Sequence, residues 1–300
     1  MSKHGTIRRY TLIIEKIKRN QFPSFYEIKD YLFEHGFEMS DRTIQRDIEQ
    51  IRFEFGIEIK YNRDKNGYFI DTENSYNIES FFRFLEIVNT AELLTESLVE
   101  SKDTLKYISF DTGGGLKGIE KLKPLLQAIK DNRKISFNHF NFHTNKTRKY
   151  SLKPYLLKEY QNRWYVVGLI GDLREFRTFG IDRIEDLEVK AETFKVDNKL
   201  NPIEMFENTI GVVYSLNKQE KVVLSFTPTQ GKYIKTLPLH SSQEILIDNE
   251  IELRISLNII PNYELIQKIL MHGNTVKVIE PEWLVEEIME NLEQTLGKYE

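Results

Sequence analysis

Arg163-Trp164-Tyr165-Val166-Val167-Gly168-Leu169, followed after a short polar stretch by Phe176-Arg177-Thr178-Phe179-Gly180-Ile181-Asp182-Arg183-Ile184, decides how this chain is read. Each run sets aromatic and β-branched residues between polar turns, the pattern of a short strand. Together they carry Arg163, Arg177 and Arg183, three guanidinium groups suited to converge on one anion because each donates a planar fork of hydrogen bonds. Such a pair of strands describes a pocket, not an enzyme. Trp164 and Tyr165 alternate in side along their strand, so one faces a core, and Trp164 is assigned to packing.

Working outward, a helix is expected over 119–132, and strands over 134–142, 149–160, 164–170 and 175–181. Several short antiparallel strands with little helical interruption imply a small barrel of the SH3 or Sm type. Further on, 222–226, 230–237, 242–248, 251–259, 263–272, 275–280 and 281–299 alternate strand and helix in a βαββαβα order, with Gly273 closing one helix and Pro281 opening the last. The expectation there is a ferredoxin-like α+β domain.

Toward the N-terminus, Leu12, Ile13 and Ile17 recur at helical spacing over 10–19, and a second helix is expected over 25–34, stopped by His35-Gly36. The third opens with Ser40 as N-cap. At about 100° per residue from Arg42, Ile44, Ile48, Ile51 and Phe55 fall between about 180° and 240°, while Gln45, Arg46 and Glu49 fall within roughly 60° of Arg42. One face is therefore core, and the other presents Arg42, Gln45 and Arg46 beside Thr43. Arginine and glutamine make bidentate contacts with guanine and adenine edges in the major groove, from the first turns of a recognition helix. A hairpin around 62–67 then offers Arg63 and Lys65 to a phosphate backbone. Helix, turn, helix and hairpin is a winged helix-turn-helix order. A solvated charged face on a structural helix pair is the plainer alternative.

Composition bounds these readings. Three hundred residues exceed one ordinary core, and the divisions expected are a winged helix-turn-helix at 1–72, a helical linker or dimerisation region at 73–118, a barrel at 119–215 and an extension at 216–300. With 40% hydrophobic and 29% charged residues and no apolar run near the roughly 18 residues of a membrane span, no membrane association is expected. The opening residues lack the apolar centre of a signal peptide, and the absence of cysteine removes disulfides and thiolate sites, so a cytoplasmic home is expected. A net charge of -4 argues against indiscriminate coating of nucleic acid. Locally, residues 1–20 hold Lys3, Arg8, Arg9, Lys16, Lys18 and Arg19 against Glu15 alone, a net +5 able to dock a polyanion. Asp111-Thr112-Gly113 matches the short aspartic-protease triplet but is followed by turn-forming glycines, and 113–118 lacks the ending of a phosphate loop. His139 and His143 are about 13 Å apart along a strand, too far to share a metal. No cofactor, metal or catalytic constellation is expected.

The residues of 148–154, Trp164-Tyr165-Val166, Phe176-Arg177-Thr178-Phe179 and Asp182-Arg183-Ile184 resemble the WYL domain, whose Trp-Tyr-Leu triplet reads Trp-Tyr-Val here. A preceding winged helix-turn-helix and a following WCX extension complete the order of WYL-domain transcription regulators, so the resemblance covers nearly the whole chain. It implies a barrel that senses a nucleotide or short nucleic acid through Arg148, Tyr165, Arg177 and Arg183, with Arg183 also able to latch onto Asp182 or Glu185. It further implies a homodimer on a double-stranded DNA operator, probing two half-sites. The alternative class is an RNA or single-stranded nucleic-acid binding protein using the barrel itself.

Overall fold

The computed structural model describes residues 3–19, 22–75, 81, 82, 85, 87, 117–142, 144–171, 175–197, 199–213 and 218–300. Most of the expected 73–118 linker region, Asp111-Thr112-Gly113 included, and His143 lie outside the described residues. The chain forms two compact units, Met1–Phe110 and Asp111–Glu300.

In the first unit, α1 (Lys3–Arg19), α2 (Phe25–Glu34) and α3 (Asp41–Phe55) precede a hairpin of β1 (Ile59–Asn62) and β2 (Gly67–Ile70). Helix α2 opens on a capping box, in which Ser24 and Glu27 satisfy each other's backbone N–H groups. Helix α3 opens on Ser40, whose Oγ accepts from the Thr43 N–H at 3.3 Å, and ends at Gly56 in the left-handed conformation. Ile13, Ile14, Ile28, Leu32, Ile44, Ile48 and Ile51 build the core, and Phe81 and Leu85 join it. Helix α1 begins seven residues earlier than its apolar spacing indicates and is buried all round from Arg9 to Ile14. The hairpin is pinned to the α1–α2 turn, where Tyr68 N–H donates to the Pro23 carbonyl at 2.8 Å. A Cβ at Gly67 would lie 1.9 Å from the Phe22 carbonyl oxygen, so only glycine permits this approach.

The second unit carries a helix, α4 (Leu122–Lys130), and five antiparallel strands: β3 (Arg133–Asn141), β4 (Lys146–Tyr160), β5 (Arg163–Ile170), β6 (Phe176–Gly180) and β7 (Ile184–Thr193). Their order is β6-β5-β4-β3-β7, so β3 pairs with both the second and the last strand, as in an Sm-type barrel. A 3-10 turn, Ile181–Arg183, joins β6 to β7. Ile135, Phe137, Leu152, Val166, Phe179 and Ile184 fill the interior with Leu125 of α4, and Trp164 packs against them, as its assignment to the core side requires.

A short helix, α5 (Pro202–Glu207), lays Phe206 against Val167, Leu169 and Phe176 on the outer face of the barrel. The chain then enters β8 (Glu220–Phe226), α6 (Pro228–Thr236), β9 (Glu244–Asp248), β10 (Leu253–Ile259), α7 (Tyr263–Met271), β11 (Val276–Glu280) and α8 (Glu282–Leu296). The sheet order β11-β8-β10-β9 is that of a ferredoxin-like fold, with the helices packed over Val222, Leu224, Ile255 and Leu257. The whole is the multidomain α+β architecture expected from the sequence.

Candidate nucleic-acid interface and ligand site

The stripe predicted on α3 is exposed. Arg42, Gln45, Arg46 and Glu49 face solvent while Ile44, Asp47, Ile48 and Ile51 are buried. Among the described residues, no side-chain hydrogen bond or ion pair engages Arg42, Gln45 or Arg46, so their donors are available to another molecule. Ser40 and Thr43 serve the helix start, their hydroxyls 2.9 Å apart. On the hairpin, Arg63 and Lys65 are exposed, and the Lys65 ammonium lies 4.1 Å from the centre of the Phe22 ring.

The N-terminal basic run is corrected by the structure. Arg9 is 2% exposed and donates to the fully buried Asp47 from Nε at 2.7 Å and from a terminal nitrogen at 3.2 Å. Lys16 and Lys18 lie over the rings of Tyr31 and Phe82. Net charge along a stretch says nothing about which bases point inward, and here Arg9 neutralises Asp47 on the buried side of α3.

In the barrel, Tyr165 and Arg183 lie to either side of Gly180, and Arg148 adjoins that end through its cross-strand partner His139. Arg148 is the cross-strand partner of His139, so both side chains lie on the same side of the sheet. His139 is 6% exposed, has the rings of Phe137, Tyr150 and Phe179 within 6.5 Å, and its Nε2 has no hydrogen-bond partner. Burial, with the nearby Arg183 charge, pushes its imidazole down to about 4. Arg183 stands over the Phe142 ring at 4.7 Å and beside Gly180, where a Cβ would lie 3.0 Å from its terminal nitrogen. Its Nε is 3.8 Å from Asp182, an ion pair too long for a hydrogen bond, and that buried Nε has no hydrogen-bond partner. The latch to Asp182 is therefore electrostatic only.

Tyr165 pairs across the sheet with Lys158 on one side and Gly180 on the other. Burial raises its phenol pKa; the charge of Arg163 opposes this first, Asp182 and Glu264 add to it, and Arg183 opposes it. Arg163 approaches Asp182 at 3.8 Å. Arg177, opposite Gly168 and exposed, is not joined to Arg148, Tyr165 or Arg183 by any hydrogen bond, ion pair or ring contact among the described residues. His139, weighed in the sequence only as a metal ligand, and Phe142 are absent from the sequence candidates, since nothing in their local sequence marks them for this end of the barrel.

Among the described residues, no group of three His, Asp or Glu side chains is placed to hold a metal, and no helix is long and apolar enough to cross a membrane.

A helical unit with a hairpin, an Sm-type barrel with a basic and aromatic end, and a ferredoxin-like extension define a multidomain α+β protein. Family models match at two places: the WYL domain over residues 120–189 and the WCX domain over residues 218–296. The chain thus carries a WYL domain followed by a WCX domain. It is similar in structure to proteasome accessory factor B/C (PafBC) of Arthrobacter aurescens, at 17% identity and TM-score 0.32, covering 97% of this chain and 46% of that one. It thus spans less than half of that chain's length. A second similar structure is described as a CRISPR Cas-related protein, at 14% identity and TM-score 0.40, covering 99% of this chain and 85% of that one. Both scores are low, so the domain assignment rests on the two domain models. No curated protein matches the chain.

Proposed function

We propose that this protein is a homodimeric DNA-binding transcription regulator, acting as a repressor, whose WYL domain senses a nucleotide-like or oligonucleotide effector. The observation that carries the reading is the exposed, unengaged stripe of Arg42, Gln45 and Arg46 on a Ser40-capped helix, beside a hairpin that offers Arg63 and Lys65. Arginine and glutamine at these positions reach base edges, while the hairpin bases and the Thr43 hydroxyl suit phosphate contacts. An effector held by Arg148, Tyr165 and Arg183 alters DNA binding by favouring one arrangement of the dimer, which resets the spacing of the two recognition helices. Arg177, apart from that cluster, is assigned a peripheral contact with the effector's phosphates.

The test is selection of sheared genomic DNA from the source organism by purified protein at moderate salt, beside an Arg42→Ala/Arg46→Ala variant. Enrichment of a palindromic site by the wild type alone is the expected result. Equal enrichment by the variant would shift nucleic-acid binding to the barrel and favour the single-strand reading.

A further inference from the structure

Helix α8 continues two turns past its last buried residue. Leu284 and Ile288 anchor it in the WCX core, yet from Met289 to Leu296 no side chain is buried. A solvated extension needs no apolar residues, but this one carries Met289, Leu292 and Leu296, which are 54%, 50% and 60% exposed. At about 100° per residue from Met289, Leu292, Val285 and Leu296 fall within roughly 60° on one side, so the four form a stripe. Val285, Met289 and Leu292 make one wall of a groove, faced by Ile269 and Leu270 of α7 and Val276 of β11. A contiguous apolar patch left open to solvent marks a place of association.

The outer border of the stripe is acidic. On the same wheel Glu282, Glu293 and Glu286 fall at about 20°, 40° and 60° from Met289, on the side away from Ile288. All three are exposed, and among the described residues no lysine or arginine pairs with them. Helix α8 as a whole holds five glutamates and no base. This charge, with the size of the groove, decides what can cover the stripe. The groove encloses about 190 Å³, which admits a few side chains but falls short of the roughly 300–1,000 Å³ of a site for a drug-sized ligand. An isologous contact with a second copy would bring two such helices together, glutamates against glutamates, and an anionic bilayer would repel them in the same way. What fits is a helix of opposite charge. Its apolar residues at i, i+3, i+4 and i+7 seat in the groove, and its lysines or arginines beside them meet Glu282, Glu286 and Glu293.

We infer that the groove between α7 and α8 is a docking site for a basic amphipathic helix of a partner protein. Met289 and Leu292 are its apolar anchors, and the glutamate row selects the charge of the partner. The surface includes no residue of α3 and none of the Tyr165 end of the barrel. It therefore goes beyond the regulator reading, adding a protein-binding face that stands whether or not α3 reads DNA.

The test is fluorescence anisotropy of a labelled synthetic helical peptide, with leucine at i, i+3, i+4 and i+7 and lysine elsewhere, titrated with the full chain. Its controls are a scrambled peptide of the same composition and the same pattern with glutamate in place of lysine. The patterned lysine peptide is expected to bind at least about tenfold tighter than either control, with an affinity that falls as salt rises. Met289→Ala/Leu292→Ala is expected to weaken it about tenfold or more. Glu282→Gln/Glu286→Gln/Glu293→Gln is expected to weaken it about five- to tenfold and to flatten the salt dependence. All five side chains are exposed, so both variants should match the wild type in thermal unfolding. Absence of binding, equal binding of the scrambled peptide, or an affinity unchanged in either variant would overturn the inference. So would dissociation of a dimer by Met289→Glu/Leu292→Glu in sedimentation equilibrium, which would assign the face to a second copy. Because the comparison of peptides needs no substitution, a folding defect in a variant leaves the inference open to refutation.

Discussion

Helix α3 and the Tyr165 end of the barrel solve opposite problems. On α3 the recognition side chains stand in water, each already solvated, above a core whose one buried charge, Asp47, is matched by Arg9. At the barrel end Arg148 and Arg163 are exposed, but His139 Nε2 and Arg183 Nε are buried without a hydrogen-bond partner. A surface built for a large polyanion needs free donors and pays little for holding them ready, since water serves until DNA arrives. Enclosed polar atoms such as these forfeit their hydration without replacement, so their charge states answer to the fold around them. The contrast yields measurements that separate the two.

The largest effect is expected beneath the exposed stripe. Asp47→Ala strands Arg9 in the core, and removing one partner of a buried pair costs about 3–5 kcal/mol. Urea unfolding followed by hydrogen exchange in α1 and α3 measures it. A loss below about 1 kcal/mol would mean that Arg9 escapes to solvent and that the first unit is looser than its packing indicates. The Arg42→Ala/Arg46→Ala variant, by contrast, should change stability by no more than about 0.5 kcal/mol, since neither side chain touches the core.

The buried end should respond to acid. The folded-state pKa of His139, about 4, lies below its unfolded value near 6.5, so the folded state resists the proton that the unfolded chain accepts. Stability is therefore full above pH 6.5 and falls as pH drops toward 4, by up to about 3 kcal/mol. His139→Phe, which suits the surrounding rings, should remove that part of the pH dependence. Subtracting the two unfolding profiles isolates it from carboxylates that titrate nearby, and coincident profiles would show that His139 is hydrated in solution.

The same contrast explains what could be read from the chain. An exposed recognition helix is written in its own period: Ile44, Ile48 and Ile51 on one side and Arg42, Gln45 and Arg46 on the other follow from 3.6 residues per turn, and Ser40 marks the start locally. The strands of the barrel and the βαββαβ order of the extension are legible for the same reason, being local alternations punctuated by Gly and Pro. Pairing across distance is not. Arg9 and Asp47 are 38 positions apart, and neither betrays its partner, so the basic run looked like surface. Glu264 accepts from the Val212 and Val213 N–H groups, 52 and 51 positions away, a pairing that no local pattern announces. Arg177 was grouped with Arg183 by motif, yet strand pairing sets it opposite Gly168, roughly three residues or about 10 Å along β6 from Gly180.

The smallest effect concerns Ser40, where the helix start and the proposed DNA contact overlap. Ser40→Ala removes the acceptor for the Thr43 N–H and should cost about 1 kcal/mol, fraying the turn that carries Arg42. DNA affinity would fall with it, and that fall alone cannot distinguish a cap from a phosphate contact. Ser40→Asn can, because asparagine caps as well as serine while lacking the hydroxyl. If the variant regains both thermal stability and operator affinity in a binding titration, Ser40 acts by ordering the first turn, and α3 reads DNA through Arg42, Gln45 and Arg46. If stability returns and affinity does not, the hydroxyl itself touches the nucleic acid, and the exposed stripe begins two residues earlier than its charged side chains indicate.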